Sequence, residues 1–199
     1  MKKILLTIAL GLACISAFAQ QEYKATVFGA KSDGITDNTG SIQKAVDFIS
    51  EKGGGTLVFY VGRYITGHIE LKSNVTIRLA EAAVLVASPN IYAYKGKGAL
   101  ITAAEGTENV AVVGPGVIEG SADALKASID AQVAKGYLAS AEIPALIDLT
   151  GAVNAKVEKV KFWDPAGAWI KGAENVENTV FFKEGKCITP EGKTIKLQK

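Results

Sequence analysis

The sequence holds one histidine (His68), two cysteines (Cys14 and Cys187), two arginines (Arg63 and Arg78), and no two acidic residues side by side. Each scarcity removes a class of function. One histidine without partner cysteines or histidines offers no ligand spacing for zinc, so no metal and no cofactor is expected. A chain trimmed of Cys14 keeps Cys187 alone, without an internal disulfide, and a strand cysteine with no histidine beside it reads as a packed residue. The 22 basic residues are scattered and face 20 acids, for a net charge of +2. That balance supplies no basic patch for nucleic acid and no field for an anionic membrane. Acid clusters of the kind that gather Ca²⁺ are missing too, which argues against a lyase acting beside a uronate carboxylate.

What is present begins with an export signal. Lys2 and Lys3 form a charged start, residues 4–15 an apolar middle, and Ala17-Phe18-Ala19 a small-x-small cleavage site. The apolar run is too short to span a bilayer. A lipoprotein reading through Cys14 finds a poor context in Gly11-Leu12-Ala13. The expectation is a signal peptide over 1–19 and a secreted or periplasmic domain over 20–199, with no membrane contact after cleavage. A length of 199 residues favours one domain, and a hydrophobic fraction of 48% suffices for a core.

The chain is organised around residues 28–79. Ile42, Ala45, Val46 and Ile49 recur with helical spacing and predict a helix over 39–51. Asp37, Asn38 and Thr39 stand where caps belong, and Gly53-Gly54-Gly55 ends the helix. The period then changes to two. Strands are predicted at 56–60, 64–66, 68–71, 75–79 and 84–87, after a lead-in strand at 20–27. Residues 89–98 form a loop, and strands resume at 100–103, 110–113 and 117–119. An Ala-rich excursion at 121–135 reads as a helix of modest amphipathicity. Further strands are expected at 145–149, 153–162, 169–171, 176–182, 186–189 and 194–197. Asn74, Asn109, Asn154 and Asn175 each open a similar strand, as a solenoid of short strands and turns would show. Asparagine at such joins tolerates the left-handed conformation.

The stretches FGAKSDGITDNTGSIQKA, GGGTLVF and YITGHIELKSNVT, all between Phe28 and Thr76, resemble the N-terminal part of polygalacturonases. These are the family 28 glycoside hydrolases. Weaker likenesses follow at Glu108-Asn109-Val110 through Gly120, with Glu119 where the family has aspartate, and at FWDPAGAWIKGAENV (162–176). The resemblance implies an all-β fold: a single-stranded right-handed parallel β-helix, pectin-lyase-like, with an N-terminal capping α-helix. The family's Asn-Thr-Asp, Asp-Asp, Gly-His-Gly and Arg-Ile-Lys motifs do not occur. ENVENTVFFKEGKCI (174–188) resembles a final rung instead, so the chain reads as a start and an end without a recognisable catalytic centre.

Three functions remain to be weighed. Inverting glycoside hydrolysis needs a carboxylic acid and a carboxylate on opposite faces of the sugar, ~6.5–9.5 Å apart. Asp148, Asp164 and Glu119 are the candidates on or beside the later strands. Each also reads as a surface acid or turn former, and Asp164 before Pro165 favours a turn. Binding of a pectic or other acidic polysaccharide would use the rings of Tyr92, Tyr94, Tyr137, Trp163 and Trp169. The ammonium groups of Lys95, Lys97, Lys161 and Lys171 would meet its carboxylates. The competing reading places the tryptophans in the core and leaves the lysines to keep the surface soluble. The third function is assembly, by self-association through an open coil end. A turn at Pro190 and the strand at 194–197 would then be a cap.

Overall fold

The structure is a computed structural model that describes residues 21–163 and, beyond them, the backbone of four short strands. The expected signal at 1–19, Asp164, Trp169, Asn175, the Pro190 turn and the side chain of Lys171 lie outside the described residues.

The chain starts with β1 (Glu22–Lys24), a single 3-10 turn at Ala25–Phe28, and an irregular strand β2 (Asp33–Asp37), then enters α1 (Thr39–Glu51). A path of three strands per coil then repeats. The first coil is β3 (Gly55–Phe59), β4 (Gly62–Thr66) and β5 (Ile69–Leu71). The second is β6 (Val75–Leu79), β7 (Ala83–Ala87) and β8 (Ala99–Ala103). The third is β9 (Ala111–Val113), β10 (Val117–Glu119) and β11 (Ala145–Asp148), with α2 (Ala122–Ala134) inserted before its last strand. The fourth is β12 (Lys156–Glu158), β13 (Lys161–Trp163) and β14 (Ile170–Lys171). Strands β15 (Val180–Lys183), β16 (Lys186–Ile188) and β17 (Thr194–Ile195) follow.

Corresponding strands stack into three sheets, ordered β1-β3-β6-β9-β12, β2-β4-β7-β10-β13-β15-β16-β17 and β5-β8-β11-β14. Pairing is parallel up to β15, and β16 and β17 turn back antiparallel. The architecture is a right-handed parallel β-helix, the hand that parallel crossovers take when a right-twisted strand feeds the next.

Register explains the core. Leu57, Ile77, Val112 and Val157 are aligned across the first sheet, and Tyr64, Leu85, Ile118 and Phe162 across the second. Ile69, Ile101 and Ile147 are aligned across the third. All these side chains are buried. Period-two alternation within each strand thus becomes three inward columns, one per sheet.

Left-handed corners hold the coils in step. Asn74, Asn109 and Asn154 have φ of 63°, 55° and 59°. Asn109 Nδ2 donates to Asn74 Oδ1 (3.0 Å), and Asn154 Nδ2 donates to Asn109 Oδ1 (2.7 Å). The spacing seen in sequence is therefore a ladder of amides along the coil axis. The strand predicted at 153–162 is two strands, because Lys159 takes a φ of 63° and turns the chain between sheets. The lead-in strand predicted at 20–27 gives way to the 3-10 turn after Lys24.

Helix α1 matches the predicted span and buries Ile42, Ala45, Val46 and Ile49 over the first coil. Its capping differs from expectation. Asp37 Oδ1 accepts from Thr39 N (2.9 Å), whereas the fully buried Asn38 accepts from Lys31 N (2.7 Å) and donates to Lys31 O and Thr36 O. Asn38 thereby pins the preceding loop instead of the helix end. Among the described residues no helix is long and apolar enough to cross a membrane.

Candidate functional site

Two faces meet beside α1. Thr39, Gln43 and Asp47, four residues apart, share the helix face next to its buried stripe. Ile69 and Leu71 point inward from β5, so His68, Glu70 and Lys72 alternate outward. Gln43 joins the two faces. Its Nε2 donates to Glu70 O and Asp47 Oδ1 (both 3.0 Å), and its Oε1 accepts from Glu70 N (2.9 Å). The amide imitates a neighbouring strand and satisfies the exposed edge of β5.

The third wall is the loop between β7 and β8. Gly67 makes this approach possible: a Cβ there would clash with Ala93 O and lie 2.6 Å from Ala93 Cβ. His68 N donates to Ala93 O (3.1 Å), and Gly67 N donates to Thr39 Oγ1 (2.6 Å). The result is a cleft of about 500 Å³ lined by Gln43, Asp47, His68, Glu70, Lys95 and Lys97, among others.

A second cleft of about 540 Å³ adjoins it, between the same loop and the segment that returns from α2 to β11. Lys95 and Lys97 line both. Among the described residues neither has a salt-bridge partner.

The electrostatics of the first cleft follow from these neighbours. Lys72 bonds the Glu70 carboxylate and holds its pKa below the usual range. Burial, with Lys97 and then Lys95 nearby, pushes the His68 imidazole down, against a smaller opposing pull from Glu70. His68 Nε2 lies 2.8 Å from Thr102 Oγ1.

The residues singled out in sequence are distributed unevenly. Tyr92 is 52% exposed and lines the second cleft. Tyr94 is 1% exposed with its hydroxyl donating to Ser88 O (2.9 Å), so it offers no ring face. The 3-10 turn at Ile91–Tyr94 is the cause: its period of three sends Tyr94 inward and Tyr92 outward. Tyr137 is exposed. Trp163 is half-exposed and Lys161 exposed, both on β13 of the second sheet and not beside the clefts on the third; neither fills the core.

The two candidate acids within the described residues, Glu119 and Asp148, do not converge. Glu119 on β10 is gripped by Arg63 through both guanidinium nitrogens (2.9 and 2.7 Å). Asp148 stands at the end of β11, on another sheet, and its Oδ1 accepts from Thr150 N and Thr150 Oγ1 in a local turn. Sequence reasoning passed over Glu70, Lys72, Gln43 and Asp47. The alternation His68-x-Glu70-x-Lys72 was visible, but nothing local tied it to a helix 27 residues upstream. Among the described residues no group of three or more His, Cys, Asp or Glu side chains could hold a metal ion.

No family model matches the chain. A solved structure of a putative glycosyl hydrolase from Parabacteroides merdae superposes with a TM-score of 0.73 at 44% identity, over 82% of this chain and 80% of that one. The family 28 exopolygalacturonase of Yersinia enterocolitica shares the fold, with a TM-score of 0.66 at 22% identity over 82% of this chain and 39% of that one. Among curated sequences, the exo-poly-α-D-galacturonosidase of Dickeya chrysanthemi is 36% identical over 115 residues, 48% of this chain and 19% of that protein. The chain spans a fifth or less of the length of the curated relatives it matches. With fold and sequence shared over most of both chains with the Parabacteroides protein, this chain belongs to the polygalacturonase-like glycoside hydrolases of the pectin-lyase-like β-helix fold.

Proposed function

We propose that the protein is secreted and binds an acidic, uronate-bearing polysaccharide in the cleft beside α1, with Lys95 and Lys97 meeting its carboxylates. The observation that carries this reading is the placement of two lysines, with no salt-bridge partner among the described residues, on the wall shared by two adjoining clefts. Their charge is felt inside the first cleft, where both depress the His68 pKa. Gln43, Asp47 and Glu70 add the mixed donors and acceptors that sugar hydroxyls require. The curated relative's name, an exo-poly-α-D-galacturonosidase, supports a galacturonate-containing ligand. Export rests on the charged, apolar and small-residue pattern of the first nineteen residues.

Binding is favoured over hydrolysis by the state of the acids. A general acid must stay protonated near the working pH, which requires a raised pKa. Glu70, a carboxylate of the first cleft, is instead held below the usual carboxylate range by its hydrogen bond from Lys72. Glu119 is committed to Arg63.

Affinity electrophoresis through gels cast with polygalacturonate tests the reading, alongside a reducing-end assay. The wild-type chain is expected to be retarded without releasing reducing ends. Lys95→Ala combined with Lys97→Ala should abolish retardation, and Lys161→Ala should leave it unchanged. Undiminished retardation of the double variant would refute the site, and release of reducing ends would establish the hydrolase instead.

A further inference from the structure

The two adjoining clefts differ in chemistry. The first is lined by amide, carboxylate, imidazole and ammonium groups. The second, away from the shared lysines, is lined by Ile91, Tyr92, Leu138, Ala141 and Pro144, with Glu142 as its carboxylate. A uronate placed there would set its charge beside Glu142 and against apolar side chains, an unfavourable exchange for water. A sugar unit without that charge, carrying a small apolar group, would bury the group against Leu138 and Ala141. It could lay its ring on Tyr92, which is 52% exposed.

We infer that the second cleft is a subsite for a charge-masked saccharide unit, a uronate whose carboxyl is methyl-esterified, next to a free uronate held in the first cleft. This rests on the uronate-binding reading above. The shared wall supplies the link: Lys95 and Lys97 reach both clefts, so one glycan can pair its free carboxylate with them while the neighbouring unit enters the apolar side. The ligand class is thus partly substituted pectic chain rather than fully de-esterified polygalacturonate.

Titration calorimetry on the whole chain tests this with three oligomers of equal length: unsubstituted galacturonate, a methyl ester confined to one end unit, and an O-acetyl group there. The methyl-esterified oligomer should bind at least about fourfold tighter than the unsubstituted one, the factor for burying one methyl group, whereas the O-acetylated oligomer, which keeps its carboxylate, should show no such gain. An equal gain for the acetylated oligomer would overturn charge masking as the basis of the subsite. Leu138→Asp and, independently, Ala141→Asp should erase the gain, read within each variant as the ratio of esterified to unsubstituted oligomer affinity. Both side chains are part-exposed, so a fold retained by circular dichroism in either variant is enough. Equal affinity for all three oligomers, or a gain that survives both variants, would overturn the subsite and leave the uronate reading standing. Failure of every oligomer to bind would overturn both.

Discussion

Arg63 reaches over the whole of β7 to hold Glu119, so that one side chain on β4 and one on β10 clamp three successive coils of the second sheet. The pair is bidentate, yet the Arg63 side chain is half exposed to solvent. Geometry favours a strong contact and exposure weakens it. A double-mutant cycle of Arg63→Ala and Glu119→Gln, read by urea unfolding, should give a coupling of about 0.5 kcal/mol. The coupling should fall in 1 M salt. A salt-independent coupling above about 2 kcal/mol would mean that the pair is effectively desolvated.

The amide ladder makes a sharper prediction. Asn109 both donates and accepts along the ladder and holds a φ of 55°. Asn109→Ala loses two hydrogen bonds and strains the corner, for a cost of about 2–3 kcal/mol. Asn109→Gly keeps the corner and should cost only about 1 kcal/mol. Equal losses for the two variants in the same unfolding experiment would show that the backbone conformation carries no share.

His68 gives a direct reading of the first cleft, since it is the chain's one histidine and its Cε1 proton resonance needs no assignment. Burial and the two lysines lower its pKa in the fold. Between the ordinary value near 6.5 and the lowered folded value, the unfolded chain binds the proton more tightly. Stability should therefore decline as pH falls through that window, and this contribution is intact above it. An NMR titration should place the midpoint below 6.5, and Lys97→Ala should raise it. A midpoint that ignores Lys97 would place that ammonium outside the cleft.

Gly67 tests the third wall. A Cβ there meets the backbone of Ala93, so Gly67→Ala must push the β7–β8 loop outward. Because Lys95 and Lys97 ride on that loop, polygalacturonate retardation should weaken together with a stability loss of about 1–3 kcal/mol. Loss of stability with full retardation would detach the loop's position from binding.

The coils were legible because their cause is local. Period-two burial, glycine exits and recurring asparagines are written in adjacent residues, and α1 was readable from four apolar positions. What stayed hidden depended on distant partners or broken periods. β2 was not among the predicted strands, because Asp33 caps its own neighbours: Asp33 Oδ1 accepts from Ile35 N and Thr36 N, while Ile35 faces solvent. Its alternation is inverted relative to a core strand. Tyr94 looked available because no strand rule governs a 3-10 turn. The cleft combines a helix, an edge strand and a loop, and the contacts that join them, Gln43 to Glu70, Gly67 to Thr39 and His68 to Ala93, link residues 25 or more apart in sequence.

Over the first three coils the connections from the second sheet to the third lengthen: Gly67-His68, then residues 88–98, then 120–144 with a helix inside. The corners that carry the asparagines stay short and superimposed. Variation in loop length and mechanical registry therefore occupy different corners of each coil. Grafting a foreign segment between Gly120 and Pro144 should retune what the molecule recognises without disturbing how its turns are wound.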